Sequence, residues 1–309
     1  MANKSTNVRT EMTLAGVRLL ARGLGTVSPA LAARWAEGLF FTPQRHRPGA
    51  TARAVLARGR PRTLEVCGER LALWSWGEGP RVMLVHGWSG SAGQLTAFVP
   101  PLVEAGFSVV AFDGPAHGQS TGRRTNLPTF ARAVEAVAHA TGGPVALIAH
   151  SMGASASAAA LRDGLDVKRA VLIAPPSDPR TVLREYGDFL HLPPAALADM
   201  IRRFEARLGR PLSDYDVPAF APALAHVQAQ VVHDRGDREV PFRAGEAIAR
   251  AWPGAQLVPT EGLGHNRILY TPAVVQRAVN FVTMAHPRRE LATLPLPARP
   301  LDGPRARVG

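Results

Sequence analysis

The hydrophobic pattern along the chain changes character after Trp76. Between residues 63 and 76, apolar and polar positions alternate with an interruption at Gly68, which predicts an antiparallel hairpin of two strands. Six short, continuous apolar runs follow, a pattern typical of strands buried on both faces. They lie at residues 82–85, 109–112, 145–149, 170–174, 229–232 and 256–258. The chain therefore predicts eight strands in all.

Segments with helical spacing separate most of these apolar runs. They cover residues 127–140, 152–161, 243–251 and 274–284, and each is long enough to connect two parallel strands. Buried strands that alternate with such helices are typical of α/β proteins. We therefore expect an α/β fold with a doubly wound, mostly parallel sheet.

One connection is too long to be a simple crossover. It covers about residues 175–227 and contains two stretches with helical spacing, 178–190 and 194–208, before a proline-rich return. In an open α/β sheet the ligand binds beyond the carboxyl ends of the strands. An insertion after the sixth strand would lie over that site, so we expect a helical cap there.

The first 62 residues form a separate basic segment. Leu14, Val17, Ala21 and Leu24 share one helical stripe, and Ser28 before Pro29 is typical of a helix start. We expect two short amphipathic helices that pack on the body of the protein. Contact with a membrane surface is the alternative use of such a stripe.

The formal net charge of +12 lies at the two ends of the chain. Residues 1–62 carry 11 Lys and Arg against 2 Asp and Glu, and residues 286–309 carry 5 against 2. The rest of the chain carries 20 of each sign. Basic and aromatic residues are not interleaved as in nucleic-acid-binding folds, so we expect no nucleic-acid partner. A weak attraction of the N-terminal segment to anionic lipid stays open.

Composition narrows the class of protein further. A chain of 309 residues with 46% hydrophobic residues can bury one large core, so we expect one domain over residues 63–286. The proline- and arginine-rich tail, residues 287–309, is expected to be disordered. The lone Cys67 excludes an intramolecular disulfide and the usual zinc spacings. No stretch has the apolar length of a membrane span, and we expect a cytoplasmic protein.

The strongest local motif is Ala149-His150-Ser151-Met152-Gly153. It follows an apolar run and precedes an alanine-rich helical segment, which predicts a strand, a sharp turn and a helix. Such an elbow presents a serine hydroxyl at the sheet edge, with small neighbours because larger side chains would collide there. Ser151 is therefore a candidate nucleophile. Ala149 stands where the usual elbow has glycine.

Two further loops follow strands on the same side. The loop His86-Gly87-Trp88 turns tightly at its glycine, and we expect the amides of Trp88 and Met152 to form an oxyanion hole. His86 itself is expected to be a buried structural histidine. The polar loop that begins at Asp113 is expected to be structural, with its carboxylate stabilising the turn.

A carboxylate and a histidine follow the last two strands. Asp237 lies three residues before Val240-Pro241, and His265 follows Gly264. A serine hydroxyl is too weak an acid to attack unaided, so a histidine must take its proton and a carboxylate must orient that histidine. Ser151, Asp237 and His265 are therefore the predicted nucleophile, acid and base.

In these motifs, over about residues 63–284, the chain resembles the α/β-hydrolase family, specifically its bacterial carboxylesterase-like members. The resemblance implies the α/β-hydrolase fold, the order Ser, Asp, His along the chain, and water as second substrate, with no cofactor and no metal. Besides Ala149, the chain departs from the family at Ala116 and Asp234, each of which stands where glycine is frequent. Asp234 is thus a second candidate for the acid, and Asp178, after an earlier strand, is a third.

The resemblance implies hydrolysis of a carboxylic ester through an acyl-serine intermediate, with a small-molecule ester as substrate. We expect the cap to supply the acyl pocket, with Leu190, Leu192 and Phe220 as candidate lining residues. Thioester, amide or carbon–carbon bond cleavage and perhydrolysis use the same triad, so these alternatives stay open. A non-catalytic ligand receptor on the same scaffold is an alternative from another class.

Overall fold

The computed structural model describes residues 2–66 and 68–284 and contains one eight-stranded sheet. The strand order is β1-β2-β4-β3-β5-β6-β7-β8, and every neighbouring pair from β4 to β8 is parallel. Only β2 runs antiparallel to its two neighbours. The strands are β1 Arg60–Val66, β2 Glu69–Trp76, β3 Arg81–Val85, β4 Ser108–Phe112, β5 Ala146–His150, β6 Arg169–Ile173, β7 Gln228–Asp234 and β8 Gln256–Thr260. The predicted mostly parallel sheet is confirmed.

Twelve α-helices lie in the described part of the chain. They are α1 Ala2–Val27, α2 Pro29–Phe40, α3 Ala50–Ala57, α4 Val99–Glu104, α5 Leu127–Ala140, α6 Met152–Arg162, α7 Pro179–Leu190, α8 Pro194–Leu208, α9 Val217–Phe220, α10 Phe242–Ala251, α11 Gly264–Arg267 and α12 Pro272–Thr283. Short 3-10 helices cover Ala92–Phe98, Leu212–Tyr215 and Ala221–Leu224.

Helices cover both faces of the sheet, which explains why the sequences of the central strands are continuous apolar runs. One core cluster joins a sheet face to α5, α6 and α10, with Phe130, Leu161 and Ile248 buried in it. A second cluster joins the opposite face to α4 and α12, with Phe98 and Phe281 buried in it. All five residues of β4 and of β5 are buried.

The long connection between β6 and β7 is helical, as expected. It contains α7, α8 and α9 together with two 3-10 helices. Asp178 is the N-cap of α7, because its side chain accepts a hydrogen bond from Arg180 N. The predicted cap after the sixth strand is therefore present and packs its own apolar cluster, described next.

The N-terminal segment differs from the two short helices expected. α1 has 26 residues, and α3 was not predicted because its eight residues carry no side-chain cap. Two residues of the predicted stripe face inward: Ala21 is fully buried, while Val17 packs against the same cluster. This third core cluster joins α1 and α2 to the cap through residues such as Phe41 and Met200. We call α1, α2, α7 and α8 together the helical roof.

Other boundaries moved by a few residues. The hairpin begins at Arg60 instead of residue 63, because three exposed residues at its start pair with β2 although they lack alternation. Cys67 and the tail at residues 287–309 lie outside the described residues. None of the described helices has the length and apolarity that crossing a membrane requires.

Candidate active site

Ser151 occupies a strained turn between β5 and α6. Its φ angle is 52°, a region that non-glycine residues rarely adopt and that functional sites tolerate when the surroundings hold it. The Ser151 amide donates to Ile173 O at 2.9 Å, which fixes the turn to the neighbouring strand. A Cβ at Gly153 would lie 2.1 Å from His86 O, so only glycine fits there. The structure thus has the predicted elbow.

Gly87 allows the loop after β3 to approach the elbow closely. A Cβ at this position would lie 2.8 Å from Ser151 Cβ and 3.0 Å from His150 Nδ1. These distances are too short for real atoms, so any side chain at residue 87 would displace the serine. The glycine therefore serves the site and not only the turn.

The structure brings Ser151, His265 and Asp237 together. His265 Nε2 lies 2.9 Å from Ser151 Oγ, and His265 Nδ1 lies 2.7 Å from Asp237 Oδ2. All three residues come from loops beyond the carboxyl ends of β5, β7 and β8, and each is only 8% exposed. Both distances are within hydrogen-bonding range, so the arrangement can pass a proton from the hydroxyl to the imidazole.

Four groups hold the Asp237 carboxylate. Oδ1 accepts hydrogen bonds from Glu239 N and Val240 N at 2.8 and 2.9 Å. Oδ2 faces His265 and lies 3.4 Å from His233 Nε2. Burial alone would raise the pKa of Asp237, but the hydrogen bonds from His233, His265 and the Val240 amide outweigh burial and hold the pKa well below its ordinary value. The group stays ionised.

The two other candidate acids have different partners. Asp234 Oδ2 accepts hydrogen bonds from the Thr260 hydroxyl at 2.8 Å and Leu263 N at 2.9 Å, and Oδ1 accepts from Gly236 N. It therefore joins the loop after β7 that carries Asp237, the acid loop, to the segment after β8 that carries His265, the histidine loop. Asp178 caps α7 and forms an ion pair with Arg180. Neither carboxylate contacts His265, so the geometry favours Asp237.

Trp88 and Met152, whose amides are the predicted oxyanion donors, belong to the same site. Met152 is the first residue of α6, where the helix leaves its amides without intrahelical partners. No described residue accepts a hydrogen bond from either amide. Both residues line the cavity that contains Ser151 and His265. The oxyanion hole expected at these two amides stays a prediction.

Two neutral histidines support the loop that carries Trp88. His86 donates from Nδ1 to Gly87 O and accepts from Gly114 N, and burial lowers its pKa well below the ordinary value. His117 accepts from Ser89 N, and burial lowers its pKa to about 4. Both bridge the Trp88 loop to the polar loop after β4, so the expected structural role of His86 agrees with its contacts.

Asp113 also joins these two loops. Its carboxylate accepts from Ala92 N and Gln119 N, each at 2.7 Å, and its backbone oxygen accepts from the Ser120 hydroxyl. Burial raises the pKa of this carboxyl. These contacts agree with the structural role expected for Asp113.

His150 was not singled out in the sequence, although it precedes Ser151. It is buried, and Nε2 donates to the carbonyl oxygen of His265 at 3.0 Å. Burial and the nearby His265 lower its pKa to about 3, so the ring stays neutral at ordinary pH. His150 therefore ties the elbow to the histidine loop. Its place beside the nucleophile was the only signal in the sequence.

A cavity of about 580 Å³ opens above Ser151. The predicted lining residues Leu190, Leu192 and Phe220 do not line it. The two leucines are buried in the third core cluster, between the N-terminal helices and the cap, and Phe220 packs on the first core cluster. The prediction was wrong because helical spacing shows which face is apolar but not what it packs against. The wall is formed instead by residues of α7 and the end of α2, including Phe40, Phe41, Val182 and Tyr186.

No group of three or more histidine, cysteine or carboxylate side chains suited to a metal ion occurs among the described residues. The charged residues at the cavity are partly paired, since Arg243 lies 3.3 Å from Glu185. Glu239 accepts from Asn266 and lies 4.0 Å from His265 Nε2. The chemistry at the cavity is therefore that of a hydroxyl, an imidazole and carboxylates.

Solved structures with the same architecture include three hydrolases. An esterase of Pyrococcus furiosus is 19% identical, with a TM-score of 0.62, over 79% of this chain and 98% of that chain. A thermophilic esterase of Thermogutta terrifontis with bound malate is 20% identical, with a TM-score of 0.56, over 74% and 99%. A membrane phospholipase A described as a bacterial virulence factor is 18% identical, with a TM-score of 0.58, over 90% and 100%. At these identities the likeness shows the fold.

Comparison of the sequence with protein families identifies the family of the chain, which the structural likeness alone does not. A search of curated proteins found no match. The model of the alpha/beta hydrolase family, however, matches residues 82–278, which is more than half of the chain. This range contains the elbow, the acid loop and the histidine loop, and it excludes α1 and α2. The chain is therefore a member of the alpha/beta hydrolase family.

Proposed function

We propose that the protein is a serine hydrolase that cleaves a carboxylic ester through an acyl-serine intermediate. The observation that carries the proposal is the hydrogen-bonded series from Ser151 Oγ to His265 to Asp237, with distances of 2.9 and 2.7 Å. Family membership supports hydrolysis in general. The esterases among the structural neighbours fit an ester substrate.

The first half of the reaction forms the acyl enzyme. Ser151 Oγ attacks the ester carbonyl carbon while His265 Nε2 takes its proton, and the carbonyl oxygen becomes an oxyanion. In this proposal the amides of Trp88 and Met152 donate hydrogen bonds to that oxyanion. The intermediate then collapses, and the alcohol leaves with the proton carried by His265.

The second half repeats the proton transfers with water. His265 takes a proton from a water molecule, whose oxygen attacks the acyl carbon and forms a second oxyanion. Collapse releases the carboxylic acid, and Ser151 Oγ regains its proton from His265. Asp237 stays ionised throughout and stabilises the imidazolium in both halves, as its lowered pKa requires.

Hydrolysis of p-nitrophenyl esters of rising acyl length tests this proposal. We expect turnover by the wild type and by Ser75→Ala, a matched loss of one hydroxyl on β2 at a residue that does not line the cavity above Ser151. We expect Ser151→Ala to lose about 10⁴-fold or more in kcat, as removal of a triad member does. A small fluorophosphonate should modify only the wild type and Ser75→Ala, with the added mass on Ser151.

Two outcomes would favour other functions. Labelling of Ser151 without turnover of any ester would indicate another acyl substrate, such as a thioester or an amide. Neither labelling nor turnover, with a folded protein that binds apolar ligands in the cavity, would favour a receptor. Loss of turnover in Ser151→Ala with turnover retained in Ser75→Ala would support the esterase.

Exposed apolar residues on α1 bear on the membrane contact that the sequence leaves open. Leu19, Leu20 and Val27 of this helix are exposed. A basic segment with exposed apolar residues is attracted to anionic lipid. We expect sedimentation with phosphatidylserine vesicles that salt weakens and that the triple serine variant of these residues loses. Equal sedimentation of the variant would contradict the contact.

A further inference from the structure

The end of α2 forms one wall of the cavity, although α2 lies outside the part of the chain that matches the family. We propose that Phe40 in this wall determines the length of the acyl chain that the enzyme accepts, and that the substrate carries an uncharged acyl group. The inference rests on the proposed esterase function and names its substrate class.

Charged contacts hold α2 in place over the cavity. Glu37 is 6% exposed, lies 3.5 Å from Arg203 Nε and pairs with Arg207, both on α8. The Tyr186 hydroxyl on α7 donates to Ala36 O at 2.8 Å. A buried carboxylate that is paired in this way fixes the helix against the cap. The backbone that carries Phe40 is therefore anchored on both sides.

Phe40 lies between the site and the cap. Its ring centroid is 4.8 Å from that of Tyr186 and 6.3 Å from that of Trp88, nearly parallel to the indole at 22°. Phe40, Trp88 and Tyr186 all line the cavity that contains Ser151, so the Phe40 ring occupies space that an acyl chain bound to Ser151 would otherwise fill. Phe41 packs on Phe204 at 4.6 Å and closes the space behind.

The Phe40 ring cannot easily move aside. Tyr186 is held by its hydrogen bond, and the Trp88 loop is held by the buried histidines described above. Rings in contact at these distances attract each other beyond the effect of their burial. Phe40 therefore acts as a fixed end wall and not as a flexible lining.

The surroundings of the cavity specify the chemistry of the acyl group. Apolar residues that line the cavity together with Phe40 include Leu39, Met152 and Val182. Glu239 lies 4.0 Å from His265 Nε2 and would repel an acyl group with its own carboxylate. An uncharged hydrocarbon chain fits both features, because its burial is favourable and its passage past Glu239 costs nothing electrostatically.

Opposite substitutions at Phe40 test the proposal. The measured quantity is kcat/KM for the first acyl chain longer than the wild-type optimum, divided by kcat/KM for p-nitrophenyl acetate. In Phe40→Ala this ratio should rise roughly fourfold, which is the factor for burial of one more methylene group. In Phe40→Trp, the optimum should shift to shorter chains. Leu31→Ala, an exposed position 49% accessible on the same helix, should leave the whole profile unchanged.

The acetate ester and the labelling reaction separate this proposal from the esterase proposal. If the wild type neither hydrolyses an ester nor reacts with a small fluorophosphonate, the proposed function has failed. If it does both, and the chain-length profile of the two Phe40 variants stays the same as that of the wild type, only the role of Phe40 is overturned. An equal fall for every ester in both variants, with normal thermal unfolding, would also overturn it.

Discussion

Replacement of Asp237 by asparagine tests the assignment of the acid. The Asp237 Oδ1 position accepts hydrogen bonds from two backbone amides, Glu239 N and Val240 N. An asparagine must keep its oxygen there, because its NH2 group would face two donors. The NH2 group is then directed at His265 Nδ1, which lies 2.7 Å from the present Oδ2.

The consequence is the other tautomer of the His265 imidazole. Facing an NH2 donor, His265 Nδ1 must become an acceptor, so the proton resides on Nε2, which can no longer accept from Ser151. A wrong tautomer of this kind costs about 10⁴-fold in kcat, or about 5 kcal/mol in the activation free energy. We expect this loss in Asp237→Asn with little change in thermal unfolding.

Asp234→Asn is the matched control, since it makes the same chemical change on the same loop. Asp234 binds Gly236, Thr260 and Leu263, so the variant should lose about 1–3 kcal/mol of folding free energy while kcat stays within about tenfold. The assay is kcat for a p-nitrophenyl ester at saturation, together with urea unfolding. A larger loss of kcat in Asp234→Asn than in Asp237→Asn would refute the assignment.

Three further outcomes are expected. Gly87→Ala should lower kcat at least about 100-fold in ester hydrolysis, because its Cβ would lie 2.8 Å from Ser151 Cβ and shift the nucleophile; wild-type rates would contradict this. Glu37→Gln should cost about 2 kcal/mol and expose the N-terminal helices to limited proteolysis, since it weakens a buried carboxylate pair; unchanged protection would show that the pair is dispensable. Burial lowers the pKa values of His86, His117 and His150 in the folded state. The unfolded chain therefore binds more protons than the folded chain below about pH 6.5. Each of these histidines should lower the free energy of unfolding by about 1.4 kcal/mol per pH unit as the pH drops from 6.5 toward 5. Urea unfolding at pH 7.5, 6.0 and 5.0 measures this slope, and a flat profile would refute it.

The sheet was predictable because its central parallel strands, such as β4 and β5, are buried on both faces. That burial leaves continuous apolar runs, and the boundaries of α5 and α8 agree with the predicted residues. The elbow was predictable for a similar reason, since close packing around Ser151 requires glycine at residues 87 and 153. The predicted triad residues lie together because strand order places the ends of β5, β7 and β8 side by side.

The cavity wall was not predictable from the same patterns. Leu190 and Phe40 are both apolar residues at a helix end, and nothing local distinguishes the one in the roof core from the one at the cavity. The difference depends on how α2 packs against a cap that lies much later in the chain. Contacts of that kind leave no periodic signal at either partner.

The contact between Glu37 and Arg207 has a consequence for synthesis of the chain. The two residues are 170 positions apart, so α2 leaves the ribosome long before its partner helix exists. At ordinary translation rates of about 5–20 residues per second, the delay is roughly 10 to 30 s. During this interval Ala33, Ala36 and Phe41 have no cap to cover them. This core cluster can therefore form only after the cap has been synthesised.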